Sequence, residues 1–377
     1  MVKDKTGSRF SKIQPQTDRE QNSLKIFELL KRGGTLSFED VVSKTGLSGD
    51  FVKEYLDACS KRNLLKVSGG GKDSSITFDA GQRKMLGISF HNKQCILTVV
   101  DLAGNVIERG KIDIFSVDSI KGKVKEVKEL IEAVKSGTRL KEESFDHVGI
   151  VVPEGLLKKN PASADVLSEG MKDIFKCDVL VSREATAAGY GERELGIGTL
   201  GKDLLYVHSD IGIGVVIKSD VIFEADEINA AKGQESYLRP WGQFNVVSVA
   251  KDFVNKGLGT DIIDLAKGDV DNITLDTVFK AAERKDELAE DLVKRSGLAL
   301  GVRVAYLANM FHPEIIILGG GIEKQEGRFI QYVQESMKKF VLKEISDRIA
   351  VIPGVLGKEA ASIGSALLCR REMFMEV

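Results

Sequence analysis

Residues 179–192 read VLVSREATAAGYGE. Apolar and β-branched positions lead to Ser182, Arg183 and Glu184, and a run of alanine, threonine and glycine follows. The pattern predicts a strand that ends in a carboxylate and turns at once into a helix of small residues. At a strand tip facing a cleft, Glu184 is placed to act as a general base. In the first turn of a helix the same carboxylate favours the dipole and needs no ligand. The residues alone leave both roles open. The four histidines, His91, His147, His208 and His312, are scattered, and no nucleophile-base-acid set can be built from them.

A carboxylate of this kind needs a scaffold, and the chain is long enough for two or three domains at 377 residues. Its composition, 42% hydrophobic and 29% charged with a net charge of -2, is that of a globular protein with ample core. The start, MVKDKTGSRF, is charged where a signal peptide would be apolar. No apolar run approaches the about 20 residues that span a bilayer. Cys59, Cys95, Cys177 and Cys369 form no CxxC pair and suit buried positions in a reducing cytoplasm. The near-neutral total hides an asymmetry. Residues 1–72 hold 14 Lys and Arg against 9 Asp and Glu, while the remaining 305 carry 40 against 47. A basic head on an acidic body points toward nucleic acid at the head.

The head reads as three helices and a wing. NSLKIFELLKRGG places Leu24, Ile26, Phe27, Leu29 and Leu30 at helical spacing before a Gly-Gly stop. Ser37 is the expected N-cap of SFEDVVSKTG, with Val41 and Val42 inward, and Ser48 that of the helix carrying Val52, Tyr55, Leu56 and Cys59. Two short helices separated by TGLS match a helix-turn-helix. LLKVSGGGKDSSITFD then alternates around glycines as a β-hairpin wing. Ser48, Gly49 and Lys53 are the candidate DNA-facing residues, with Lys72 at the wing tip reaching a phosphate. The recognition helix also shows Asp50 and Glu54, so phosphate contact is expected to rest on the basic arm and the wing. A helical bundle for protein contacts alone is the competing reading.

From about residue 85, β-rich units alternate with helices. Two ββββαβα-like lobes with glycine loops describe an actin/hexokinase (ribonuclease H-like) architecture with a ligand cleft between lobes. The expected domains are the winged helix-turn-helix at 1–80, a first lobe at 81–195 closed by 361–377, and a second lobe at 196–360. NMFHPEIIILGGGIEK, LGKEAASIGSALL and LYVHSDIGIGVVI, with the strand and helix at 179–192, resemble the ROK family of repressors, open reading frames and kinases. The order and spacing agree over residues 20–375, and the winged head is the plan of the family's xylose and N-acetylglucosamine repressors.

The resemblance implies a sugar cleft lined by Arg183, Glu184, Glu227, Glu154 and Gly155. It places a nucleotide beside Gly212, Gly214, Gly319, Gly320 and Gly321. It also implies a homodimer or higher homo-oligomer binding duplex DNA under control of a sugar or amino sugar. Departures from the kinase pattern are several. Ser89, Phe90, His91, Asn92 and Lys93 stand where family kinases carry an acidic glycine loop for magnesium and phosphate. Asp210 and Ile211 replace the glycine and hydroxyl of the second phosphate loop and bring a repulsive charge. The family's catalytic Asn-Asp pair is Arg183-Glu184, an ion pair expected to weaken the base, with a carboxylate one methylene farther out. The zinc ligands near 225–250 are absent from the sequence, so no zinc is expected. Trp241, the only tryptophan, falls in that segment.

Two functions follow. One is a sugar-responsive transcriptional regulator, of the repressor type, whose kinase-like body senses and does not catalyse. The other is an ATP- and magnesium-dependent sugar kinase, of glucokinase or N-acetylglucosamine kinase type, with Glu184 as base and an added head. A body serving chiefly as an oligomerisation platform is a third.

Overall fold

The computed structural model describes residues 14–377 except 70–73, 82, 92, 115–123, 138–143, 154–155, 158–159, 161, 201–202, 209–212, 219–220, 224–245, 325–326 and 347. In the head, α1 (Asp18–Gly33) and α2 (Phe38–Thr45) each open with a capping box, Thr17 with Glu20 and Ser37 with Asp40. These side chains satisfy amides that have no intrahelical acceptor. Ser48 caps α3 (Gly49–Lys61) by accepting from the Phe51 amide. β1 (Leu65–Ser68) and β2 (Ser75–Phe78) pair antiparallel as the wing, with Leu65 opposite Phe78. Leu24, Ile26, Phe27, Leu30, Val41, Val52, Tyr55, Leu56 and Cys59 are buried together, while Leu29 and Val42 are half-buried.

The first body sheet contains β3 (Lys84–His91), β4 (Gln94–Asp101), β5 (Val106–Asp113), β6 (His147–Val152) and β7 (Asp178–Arg183), in the order β5-β4-β3-β6-β7. β3, β4 and β5 are antiparallel neighbours, and β3, β6 and β7 run parallel. Helices α4 (Val124–Gly137) and α5 (Ser163–Phe175) make the crossovers, and α6 (Glu184–Leu195) follows β7. The second sheet repeats this plan with β8 (Leu204–His208), β9 (Ile213–Lys218), β10 (Val221–Phe223), β11 (Ile315–Gly319) and β12 (Ala350–Pro353), in the order β10-β9-β8-β11-β12. Its helices are α7 (Val246–Asn255), α8 (Asp261–Leu265), α9 (Leu275–Glu283), α10 (Glu287–Phe311), α11 (Arg328–Phe340) and α12 (Lys343–Ser346). The last helix, α13 (Ala360–Met375), returns to the first sheet. Among the described elements both units therefore place three antiparallel strands first and two further strands after helical crossovers, the first unit running βββαβαβα and the second using more than one helix in each crossover. The expected ββββαβα order differs because the fourth strand needs a helical crossover to lie parallel.

Two compact units result. One joins the head, the first sheet and residues 359–377, and the other spans 192–358, so the chain crosses at Gly191/Glu192 and Lys358/Glu359. α13 explains why the first unit closes on the C-terminus. All of its residues are buried: Ala360–Cys369 are small or apolar all round, and Arg370, Arg371 and Glu372 are buried with them. In the second unit, α10 and α11 pack closely because Gly297 and Gly301 present bare backbone to Tyr332, Phe329 and Val333.

Candidate ligand site at the carboxyl ends of the parallel strands

In open sheets with parallel strands, ligands sit beyond the carboxyl ends where strand order reverses. In the first unit those ends bring His91, Pro153 and the Arg183–Glu184 pair to one sheet edge. The registers Ile88 opposite Ile150 and Val152 opposite Arg183 align them. Arg183 and Glu184 are both half-buried, and Ser182 behind them is buried. Glu184 is the first residue of α6, so its charge meets the positive end of that helix. Ser89, one of the replaced loop residues, is buried within β3.

The run of small residues after Glu184 has a packing reason. A Cβ on Gly364 would strike the Ala187 carbonyl oxygen, and one on Gly191 the carbonyl of Ala360. Ala187 is buried in this seam, and Ala185 and Ala188 beside it in α6 are buried too. Sequence reasoning attached this run to the carboxylate. Its matching signal, ASIGSALL, lies 170 residues onward in the other wall of the seam.

In the second unit the carboxyl ends of β8, β11 and β12 bring together His208, Gly319 and Pro353. Gly320 and Gly321 take φ of 74° and 104°, which side chains rarely adopt. A Cβ on Gly319 would strike the Tyr206 ring, and one on Gly320 would overlap the His208 imidazole. The glycine turn is thus dictated from beneath, by two buried rings. From within the turn, the Gly321 amide donates to Glu323 Oε2 at 2.7 Å.

Glu192, unremarked in the sequence, lies beside the neighbouring loop and is 1% exposed. Its carboxylate accepts from the amides of Leu356 at 2.8 Å and Ile197 at 3.2 Å. Burial pushes its pKa above the ordinary carboxylate value, and the charge of Glu323 adds to the rise. Only the tertiary structure could find Glu192, because its amide donors come from 164 and 5 residues away.

On the head, Lys53 lies on the exposed face of α3, and the Ser48 hydroxyl serves the helix cap. The same face carries Asp50, Glu54 and Asp57 against Lys53 and Lys61, and Arg19 pairs with Glu54 at 3.0 Å. Gly214 sits in β9 opposite Val207. Glu154, Gly155, Gly212, Glu227, Lys72 and Trp241 lie outside the described residues, as do Asn92, Asp210 and Ile211. Of the segment on which the zinc expectation rests, 225–250, residues 225–245 lie outside them too.

Residues 257–372 match the ROK family model. That segment is a ROK family domain. It is 20% identical over 385 aligned positions to the DNA-binding transcriptional dual regulator NagC of Escherichia coli, covering 94% of this chain and 93% of that one. A xylose repressor of Bacillus spizizenii is 21% identical, with 90% and 92% covered. A glucokinase of Halalkalibacterium halodurans is 23% identical, with 55% of this chain and 68% of the glucokinase covered. Among solved structures, a ROK family transcriptional regulator homologous to the E. coli MLC protein superposes with a TM-score of 0.65 at 15% identity, covering 95% of this chain and 97% of the other. A ROK glucokinase from Streptomyces griseus, in complex with glucose and AMPPNP, superposes at 0.58 with 21% identity. It covers 76% of this chain and 98% of its own. The body around the ROK domain accordingly has the actin/hexokinase-like fold. No helix among the described residues is long and apolar enough to cross a membrane.

Proposed function

We propose that this protein is a DNA-binding transcriptional regulator whose ROK body takes a sugar or amino sugar as effector. The observation that carries the reading is the extent of likeness. The similarity to NagC and to a xylose repressor runs through head and body alike, whereas the glucokinase match leaves 45% of the chain uncovered. The head supplies the helix-turn-helix and wing, with Lys53 toward DNA. Arg183 and Glu184, with Glu227, Glu154 and Gly155, receive the sugar hydroxyls, since charged partners make the stronger hydrogen bonds. Two head copies in a homodimer read two half-sites.

The kinase reading draws on the glycine turn, but Tyr206 and His208 account for glycine at two of its three positions. Ser89, His91 and Asn92 supply none of the carboxylate and glycine groups that position magnesium and phosphate. Selection from a random duplex library tests the regulator. Recovered duplexes should bind the full chain with an affinity that falls steeply between about 50 and 200 mM salt. A coupled phosphorylation assay across common hexoses and amino sugars tests the alternative. Turnover near 1–100 per second, usual for kinases, would replace the sensor by an enzyme.

A further inference from the structure

In the first unit, α6 and the head are both seated on α13. The seating is backbone on backbone. Besides the Gly191 and Gly364 crossings, a Cβ on Gly87 of β3 would strike the Ser362 carbonyl, and one on Gly149 of β6 the Ser365 carbonyl. Ser365 Oγ donates to the Gly149 carbonyl at 3.2 Å, and the Ser362 and Thr98 hydroxyls share a hydrogen bond of 2.8 Å. A helix held at this density moves as a body or not at all, because close-packed seams are not continuously deformable.

The far end of α13 is where the head closes. Phe374 stacks on Phe27 of α1 at 4.9 Å and meets Phe78 of the wing edge-on at 5.4 Å. Its carbonyl accepts from Tyr55 Oη of α3 at 3.0 Å. Arg19 donates to the Val377 carbonyl at 3.1 Å, and Arg370 lies over the Phe27 ring at 5.3 Å. α1, α3 and the wing of the head therefore converge on one residue of the helix that carries α6. We propose that α13 transmits the state of the Arg183–Glu184 site to the head, with Phe374 as its output contact. For its input the inference rests on the sugar reading of that site, and the test separates the two.

Hydrogen exchange on the full chain supplies the test, with N-acetylglucosamine and xylose as added probes. A bound sugar slows α6 amides and changes those of α3 by about fivefold, the lower end of allosteric couplings. Phe374→Leu, or Tyr55→Phe should the first fail to fold, keeps the α6 response and abolishes the α3 response. A sugar-free arm uses Ala187→Gly, which loosens α6; because Lys31 of α1 also lies 5.9 Å over the Tyr190 ring of α6, the Tyr55→Phe background separates the α13 route from that direct contact. It should change α3 exchange by the same factor while β5, at the far edge of the sheet, keeps its rates. In the Tyr55→Phe background it should leave α3 unchanged. If α3 ignores Ala187→Gly, or responds equally with Tyr55→Phe, the inference is overturned whatever the sugars do. If neither sugar alters α6 while Ala187→Gly still moves α3, the sugar reading falls and the transmission path stands.

Discussion

Glu192 is a buried carboxylate whose cost and use are both visible. Desolvation raises its pKa, so the folded chain holds a proton that the unfolded chain releases over part of the acid range. Stability from this group is full below the ordinary carboxylate range and is lost as pH climbs through the raised value. As pH rises from the ordinary carboxylate value of about 4.3 upward, wild type should lose stability relative to Glu192→Gln, read from unfolding midpoints against pH. A difference between the two that stays flat with pH would show that Glu192 does not titrate there. Glu192→Ala should cost about 2–4 kcal/mol, because the amides of Ile197 and Leu356 lose their acceptor in a buried place. With α3 toward DNA as proposed, its exposed carboxylates oppose phosphate. Glu54→Gln with Asp57→Asn should tighten duplex binding about two- to fivefold, the worth of surface electrostatics. Fluorescence anisotropy reads this directly, and unchanged binding would mean that α3 does not face the DNA.

Between elements, the seam of α6 with α13 is the least forgiving contact. Gly364→Ala would place a methyl group on a backbone carbonyl that no rotamer can move. A loss of about 3 kcal/mol or more is expected, seen as a fall in the thermal midpoint or in soluble yield. Gly104→Ala makes a useful contrast. Its Cβ would meet the end of the Arg370 side chain, which can shift, but its φ of 95° still strains any side chain. The aromatic contact of Phe27, Phe78 and Phe374 joins head to body with fully buried rings at two of its three positions. Phe27→Ala should cost about 3–5 kcal/mol and lower the midpoint of the whole first unit.

For the whole molecule, the head is not a bead on a string. Arg83 reaches back to the Arg62 carbonyl at 2.6 Å and across to Asp146 at 2.7 Å, so the junction itself is clasped. Limited trypsin digestion should therefore release no stable body fragment lacking the head before the first unit unfolds. Early accumulation of a folded body starting near residue 80 would contradict this. The same packing decides how DNA binding is tested. Deleting the head would uncover Phe374, so Lys53→Glu on the full chain is the cleaner probe.

The sequence by itself determined what is local. Helix starts at Ser37 and Ser48, the inward faces of α1 and α3, the wing, and the strand-to-helix turn at Glu184 follow from caps and periodicities that neighbouring residues set. The ROK resemblance was carried by HPEIIILGGGI and EAASIGSALL, and both proved to lie at tight backbone approaches, where few residue types fit. What only the tertiary structure decided is why those glycines are there. The third turn of α6 needs no side chain because α13 crosses it, and the Gly319–Gly320 turn is bare because Tyr206 and His208 fill the space below. Glu192, Glu323 and the convergence on Phe374 were equally illegible, since each joins residues with no periodic or capping relation in the chain. A packing contact between distant segments has no local pattern, and the fold alone brings its two halves together.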